Sequence, residues 1–156
     1  MPSWSEVEAA APELAVLTRR FLDAHAQKTL ATLRRDGSLR ISATEVDFVE
    51  GELWLRSMWR ALKALDLMRD PRFALHSGSE DPPEWRGDAK LAGRVEEVND
   101  PERIAEINGD GAQPGPSHLF RAGIAELVVV RLGDPPDHVV IESCHAGRGF
   151  ERSERR

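Results

Sequence analysis

The sequence predicts a mainly β protein with peripheral helices, arranged as an antiparallel barrel. Three observations carry this reading. Segments with a period of two follow one another directly along the chain. Tight glycine turns, Asp36-Gly37 and Glu50-Gly51, join the first three of them. Only three stretches have helical spacing, too few to alternate with every strand as a doubly wound sheet requires.

Residues 13–26, ELAVLTRRFLDAHA, place Leu14, Leu17 and Phe21 at helical spacing, with Arg19, Arg20 and Asp23 largely off that stripe. Pro12 suits a first helical position. A meander of strands over 28–35, 39–49 and 52–57 follows. Its second strand is irregular. Leu39, Ile41 and Ala43 share one parity, whereas Val46 and Phe48 fall on the other. Such a strand is bent, bulged or buried on each side in turn, as at a barrel corner. Arg40, Ser42 and Thr44 form a polar row along its first half.

Leu62, Leu65 and Met68 give residues 60–70 a helical period, which Asp70-Pro71 ends, because a residue before proline avoids the helical region. Strands are expected over 72–77 and 89–98, with a loop over 80–88 between them. Asp100 and Pro101 cap and open a short helix with Ile104 and Ile107 inward. A Gly/Pro loop over 108–117 leads to strands at 124–132 and 138–144, and the remaining tail is polar and basic. The total is six or seven strands and three helices in one domain spanning residues 1–156, with no internal repeat.

With 156 residues and a net charge of -6, the chain is long enough for a hydrophobic core and too acidic for general nucleic-acid binding. No apolar run approaches the ~20 residues needed to cross a bilayer. MPSWSEVEAAAPEL has no signal-peptide core, so a cytoplasmic protein is expected. One cysteine, Cys144, excludes an internal disulfide and a cysteine-based zinc cluster. It reads as a small residue of a late strand or as a reactive thiol.

An anion site, if present, is a local pocket in this acidic surface. The stretch 56–77, RSMWRALKALDLMRDPRFALHS, is the candidate. Arg56 and Ser57 end a strand, and Lys63 sits in the first turn of the next helix, where free N–H groups favour anions. Arg40 and Ser42 on a neighbouring strand extend the cradle. Spacing alone favours the plainer arrangement, in which Lys63 pairs with Asp66 at i+3 and the arginines are solvated. His25, His76, His118, His138 and His145 lack metal-ligand spacing, and only His76 falls near the candidate cradle. Trp54 suits a barrel face. Trp59, just before the helix, suits the flank of a planar ligand. Trp4 and Trp85 are expected to cover the barrel or meet a partner subunit.

The run LATLRRDGSLRISATEVDFVEGELWLRSMWRALKALDLMRDPRFALHS, then GDAKLAGRVEEVNDP, HLFRAGIAELVVVRL and HVVIESCHAGRGFERSERR, resembles the pyridoxamine 5'-phosphate oxidase-like, FMN-binding split-barrel family. The likeness extends over nearly the whole chain. It implies a six-stranded antiparallel split β-barrel and a homodimer with two FMN molecules at the interface, each touched by both chains. By this resemblance Arg40, with Ser42 close by, and Ser57 meet the flavin phosphate. The family's Ser-Arg-Lys at the helix start corresponds here to Ala61, Leu62 and Lys63, so only the lysine is kept.

Each charge-assisted hydrogen bond contributes about 1.5–3 kcal/mol, so two lost contacts weaken phosphate binding roughly 10²–10⁴-fold. Arg56 and Arg60 stand beside the cradle as substitutes, and the deazaflavin F420 is the alternative cofactor. His76 and Trp59 are placed near the ring or its edge. ESCHAGRGFERSERR lacks the Arg-x-His of true pyridoxamine phosphate oxidases, so vitamin B6 oxidation is not expected. The resemblance implies an FMN-dependent oxidoreductase of an unidentified small molecule, with no nameable acid or base. The rival is a non-catalytic flavin-binding or cofactor-free dimeric module. No metal, nucleic acid or membrane partner is expected.

Overall fold

The computed structural model describes residues 1–112 and 114–156. The element order is α1 (Trp4–Ala10), α2 (Pro12–Asp23), β1 (Lys28–Leu33), β2 (Leu39–Thr44), β3 (Val46–Val49), β4 (Glu52–Met58), α3 (Leu62–Arg69), β5 (Arg72–His76), β6 (Gly87–Val98), α4 (Pro101–Asn108), β7 (Ser117–Leu132), β8 (Val139–His145) and β9 (Gly149–Arg155). Every strand pairing is antiparallel. The sheet runs β2-β1-β5-β6-β7-β4-β3, with β8 paired to β7 and β9 to β8. It is an unclosed barrel, a split barrel.

The six barrel strands of the expectation are β1, the pair β2–β3, β4, β5, β6 and β7. β2 pairs with β1 and β3 with β4, so the segment read as one strand changes partner at Glu45 and turns the barrel's corner. The split lies along β7. Residues 117–121 pair with β4, whereas 126–132 pair with β8, so one long strand belongs to the barrel and then to a β8–β9 extension.

The turns obey the local sequence. Gly37 (φ 84°) closes the β1–β2 hairpin, and Asp36 Oδ1 accepts from the Ser38 N–H at 3.0 Å. Glu50 and Gly51 both have positive φ, the requirement of a type I′ turn, at the β3–β4 corner. Asp100 caps α4 by accepting from the Glu102 N–H at 3.0 Å, with Pro101 in the first turn.

Three elements differ from expectation. α1 occupies a stretch read only as acidic; Ser3 and Glu6 form its capping box, and Trp4 and Val7 are buried. β7 begins at Ser117 rather than 124, because Leu119, Phe120 and Ala122 are buried against β4 and β6. β9 forms from the tail although all seven of its residues are exposed. Its backbone is held by pairing with β8 rather than by burial.

The expected change of buried face in β2 does not occur. Arg40 and Ser42 are half-buried and Thr44 and Val46 buried, so one parity faces inward throughout. The apolar side of β2 faces outward, with Leu39 68% and Ile41 73% exposed. The interior beside β2 is polar because it accommodates Asp66 of α3.

The main core joins Trp4, Leu14 and Leu22 from the N-terminal helices to Leu30, Leu55, Phe73, Leu91 and Leu127 of the barrel. Cys144 packs half-buried on its margin as a free thiol. A smaller cluster of Trp54, Ile107 and Leu119 fastens α4 to the sheet. Among the described residues, no helix is long and apolar enough to cross a membrane.

Candidate functional site

The eight sequence-predicted site residues fall into separate places. Arg56, Ser57, Trp59 and Lys63 line one groove of about 670 Å³, with the end of β2, Glu45 and the α4–β7 loop as its other walls. β4 places Arg56 and Ser57 at its end, and the turn into α3 places Trp59 and Lys63. α3 starts with no side-chain cap, because Ala61 at the cap position has no hydroxyl.

The cations of this groove are partly committed. Arg56 donates from Nε to Asp47 Oδ2 at 2.6 Å, with a second guanidinium contact to the same carboxylate, and reaches the Asn108 carbonyl at 3.5 Å. Lys63 Nζ donates to the Ala43 carbonyl at 2.8 Å. It forms no pair with Asp66, the alternative that spacing allowed. Burial pushes the Lys63 ammonium below its ordinary pKa, and the nearby Glu45 charge opposes that shift. A phosphate here would offset the desolvation of Lys63 with an opposite charge. Ser57 is buried, and its hydroxyl donates to the Met58 carbonyl at 3.3 Å, long enough to be exchanged for a better acceptor.

Arg40 and Ser42 do not line this groove. Arg40 donates from Nε to Asp66 Oδ2 at 2.7 Å. Thr32 donates to the same oxygen at 2.9 Å, and Arg69 to Oδ1 at 3.0 Å. Burial pushes the Asp66 carboxyl up, but the hydrogen bonds from Arg40, Thr32 and Arg69 outweigh it and hold the pKa below the usual value. The terminal nitrogens of Arg40 are therefore its only route to an anion. Ser42 faces inward opposite Leu30.

Arg60 is exposed, with φ 57°, and contributes its backbone: its N–H donates to His118 Nε2 at 3.2 Å. His76 lies apart on the outer sheet face, in a groove of about 230 Å³ with Ile41, Ala31 and Ala74, its Nδ1 2.6 Å from the Ser77 carbonyl.

Sequence reasoning missed one cluster. His118 is buried, with Nδ1 2.8 Å from Glu97 Oε1, and Trp59 stacks on its ring at 4.7 Å and 7°. His118 was one of five histidines without pattern. Its register opposite Ser57 on β4 is the missing signal, and a strand that starts at 124 does not contain that pairing. Among the described residues, no group of three or more His, Cys, Asp or Glu side chains is placed to hold a metal.

No protein-family model matches the chain, and no curated protein does. Solved structures do. A pyridoxamine 5'-phosphate oxidase-related, FMN-binding protein of Nostoc punctiforme aligns with a TM-score of 0.62 at 13% identity, over 100% of this chain and 98% of its own. PhzG of Burkholderia lata, solved with tetrahydrophenazine-1-carboxylic acid, aligns at 0.65 and 9% identity, over 99% and 94%. An F420 reductase aligns at 0.53 and 20% identity, over 68% and 91%. At these identities the likeness is one of architecture: the chain has the split-barrel fold of the pyridoxamine 5'-phosphate oxidase-related, FMN-binding proteins.

Proposed function

We propose that this chain is a flavin-dependent oxidoreductase that binds FMN in the groove lined by Arg56, Ser57, Trp59 and Lys63. One observation carries the reading: an acidic protein gathers two cations, a buried hydroxyl and a half-exposed indole into one groove. The groove's volume of about 670 Å³ suits a ligand of this size. Lys63 and Arg56 would hold the phosphate with Ser57, and the edge of Trp59 would border the ring, one of its faces being stacked on His118. Arg40 would contribute only through its terminal nitrogens. When bound, FMN supplies hydride and electron transfer, and the protein supplies binding, orientation and a water-poor wall.

The cofactor site is completed by a second copy of the chain. Leu39, Ile41, Met58 and Leu62 are large, apolar and more than half exposed, and burial against a partner would remove their side chains from water. Leu62, where the resemblance expects an arginine, is one of these exposed apolar residues, and apolar contact with a partner accounts for it. The same departure favours a second reading, the deazaflavin F420, supported by the F420 reductase of the same fold.

The deciding measurement is an absorbance spectrum of freshly purified protein, followed by titration with FMN and with F420. Oxidised flavin bands bleached by a reductant and restored by an acceptor support the enzyme. A dimer that binds neither cofactor supports a cofactor-free module and overturns the proposal.

A further inference from the structure

Two grooves meet at Trp59, and they differ in charge. The second, about 460 Å³, lies between Trp59 and α4 and is walled by Val98, Pro101, Ile104 and Pro116. Among the described residues, Glu97 is the only charged side chain lining it.

Glu97 is held in place from behind. The Arg60 N–H donates to His118 Nε2 at 3.2 Å, so Nε2 is the acceptor of a neutral ring. Nδ1 then carries the proton and donates to Glu97 Oε1 at 2.8 Å. Trp59 stacks on one side of this arrangement, and Phe120 lies 6.1 Å from the imidazole. The left-handed backbone of Arg60, unfavourable in a non-glycine residue, directs its N–H at His118. These contacts orient Glu97 and leave its second oxygen for a ligand.

A second acceptor lies in the wall that both grooves share. Asn108 donates from Nδ2 to Ser117 Oγ at 3.3 Å, while its Oδ1 is buried without a partner among the described residues. A buried acceptor without a donor is costly, and a small turn of the side chain toward the groove would let a ligand N–H satisfy it.

We propose that this second groove is the substrate site and that it selects planar ring compounds bearing a cationic or hydrogen-bond-donating nitrogen. Glu97 anchors the nitrogen, and Trp59 offers a ring face that also attracts cations. Asn108 accepts a second N–H. His118 acts as a positioning residue through Glu97. The volume lies within the roughly 300–1,000 Å³ of small-molecule sites. The word substrate rests on the flavin proposal; the ligand chemistry rests on this groove alone.

The test is calorimetric titration of the full chain with 4-aminoquinoline, a cation, and with quinoline-4-carboxylate, an anion of the same ring, each with and without FMN. The amine should bind at least tenfold more tightly, and Glu97→Gln should bring the two ligands to within threefold. Equal binding of the two, or no binding of the amine, overturns the proposal. Because Glu97 supports His118, a second variant guards against misfolding. Ala105→Trp fills the groove from the exposed side of α4. Its folded form should lose amine binding, and retained binding overturns the proposal. Amine binding without any FMN binding supports the ligand site and defeats the flavin reading. FMN binding without amine binding defeats the ligand site alone.

Discussion

Arg40 on β2 donates to Asp66 on α3 at 2.7 Å, tying a barrel strand to the helix that carries Lys63. The carboxylate is only 4% exposed and is satisfied by two guanidinium groups and the Thr32 hydroxyl. This arrangement explains why the row Arg40, Ser42, Thr44 turns inward while Leu39 and Ile41 turn out.

Asp66→Asn should destabilise the fold by about 3 kcal/mol, because it leaves two partly buried guanidinium groups without their counter-charge. Urea denaturation measures this, and a loss below about 1 kcal/mol would place the pair among the weak surface contacts. The pH dependence has a definite sign. The folded pKa of Asp66 is lowered, so its stabilisation is present above the unfolded value of about 4 and fades as pH falls through the folded value. The wild type should lose stability below about pH 4 more steeply than the Asn variant.

Lys63→Ala should weaken FMN binding about 10–100-fold, the equivalent of one charge-assisted contact. Unchanged affinity in calorimetry would remove Lys63 from the phosphate site. Its lowered pKa gives a second readout. A bound phosphate favours the charged ammonium and raises that pKa. Between the lowered value and the ordinary one, near 10.4, FMN binding should therefore take up a proton. Titrations in buffers of different ionisation enthalpy detect the uptake, and the Ala variant should lack it.

Ile41→Asp should convert a dimer to a monomer and lower FMN affinity with it. Ile41 is 73% exposed and sits opposite Ala31, so the aspartate disturbs no interior contact. Sedimentation velocity separates the outcomes. A variant that remains dimeric would move the interface to another face.

Gly93→Ala should cost about 3 kcal/mol through overpacking. A Cβ there would lie 1.9 Å from the Gly123 carbonyl oxygen, at the bulge between β6 and β7. The obstacle is backbone, which has no rotamer to give. A thermal melt within 2 °C of wild type would mean that the strands separate more readily than their register implies.

Much of this molecule is determined locally. Asp36-Gly37, Glu50-Gly51 and Asp100-Pro101 place turns and a helix start by backbone preference alone, and the sequence of barrel strands follows. The break near Glu45 was visible as a change of parity. Its meaning was not, because parity tells which residues share a side and not which side holds the core. Only the tertiary structure decided that, by setting a charged cluster around Asp66 inside β2. The capping residues Ser3 and Glu6 were a readable sign of α1, whereas β9 has no buried residue to announce it. The site divides in the same way. Arg56, Ser57, Trp59 and Lys63 are neighbours in sequence and were recognisable together. Glu97 and His118 meet them only through the pairing of β6, β7 and β4, and hydrogen bonding between strands leaves no periodic trace in the chain.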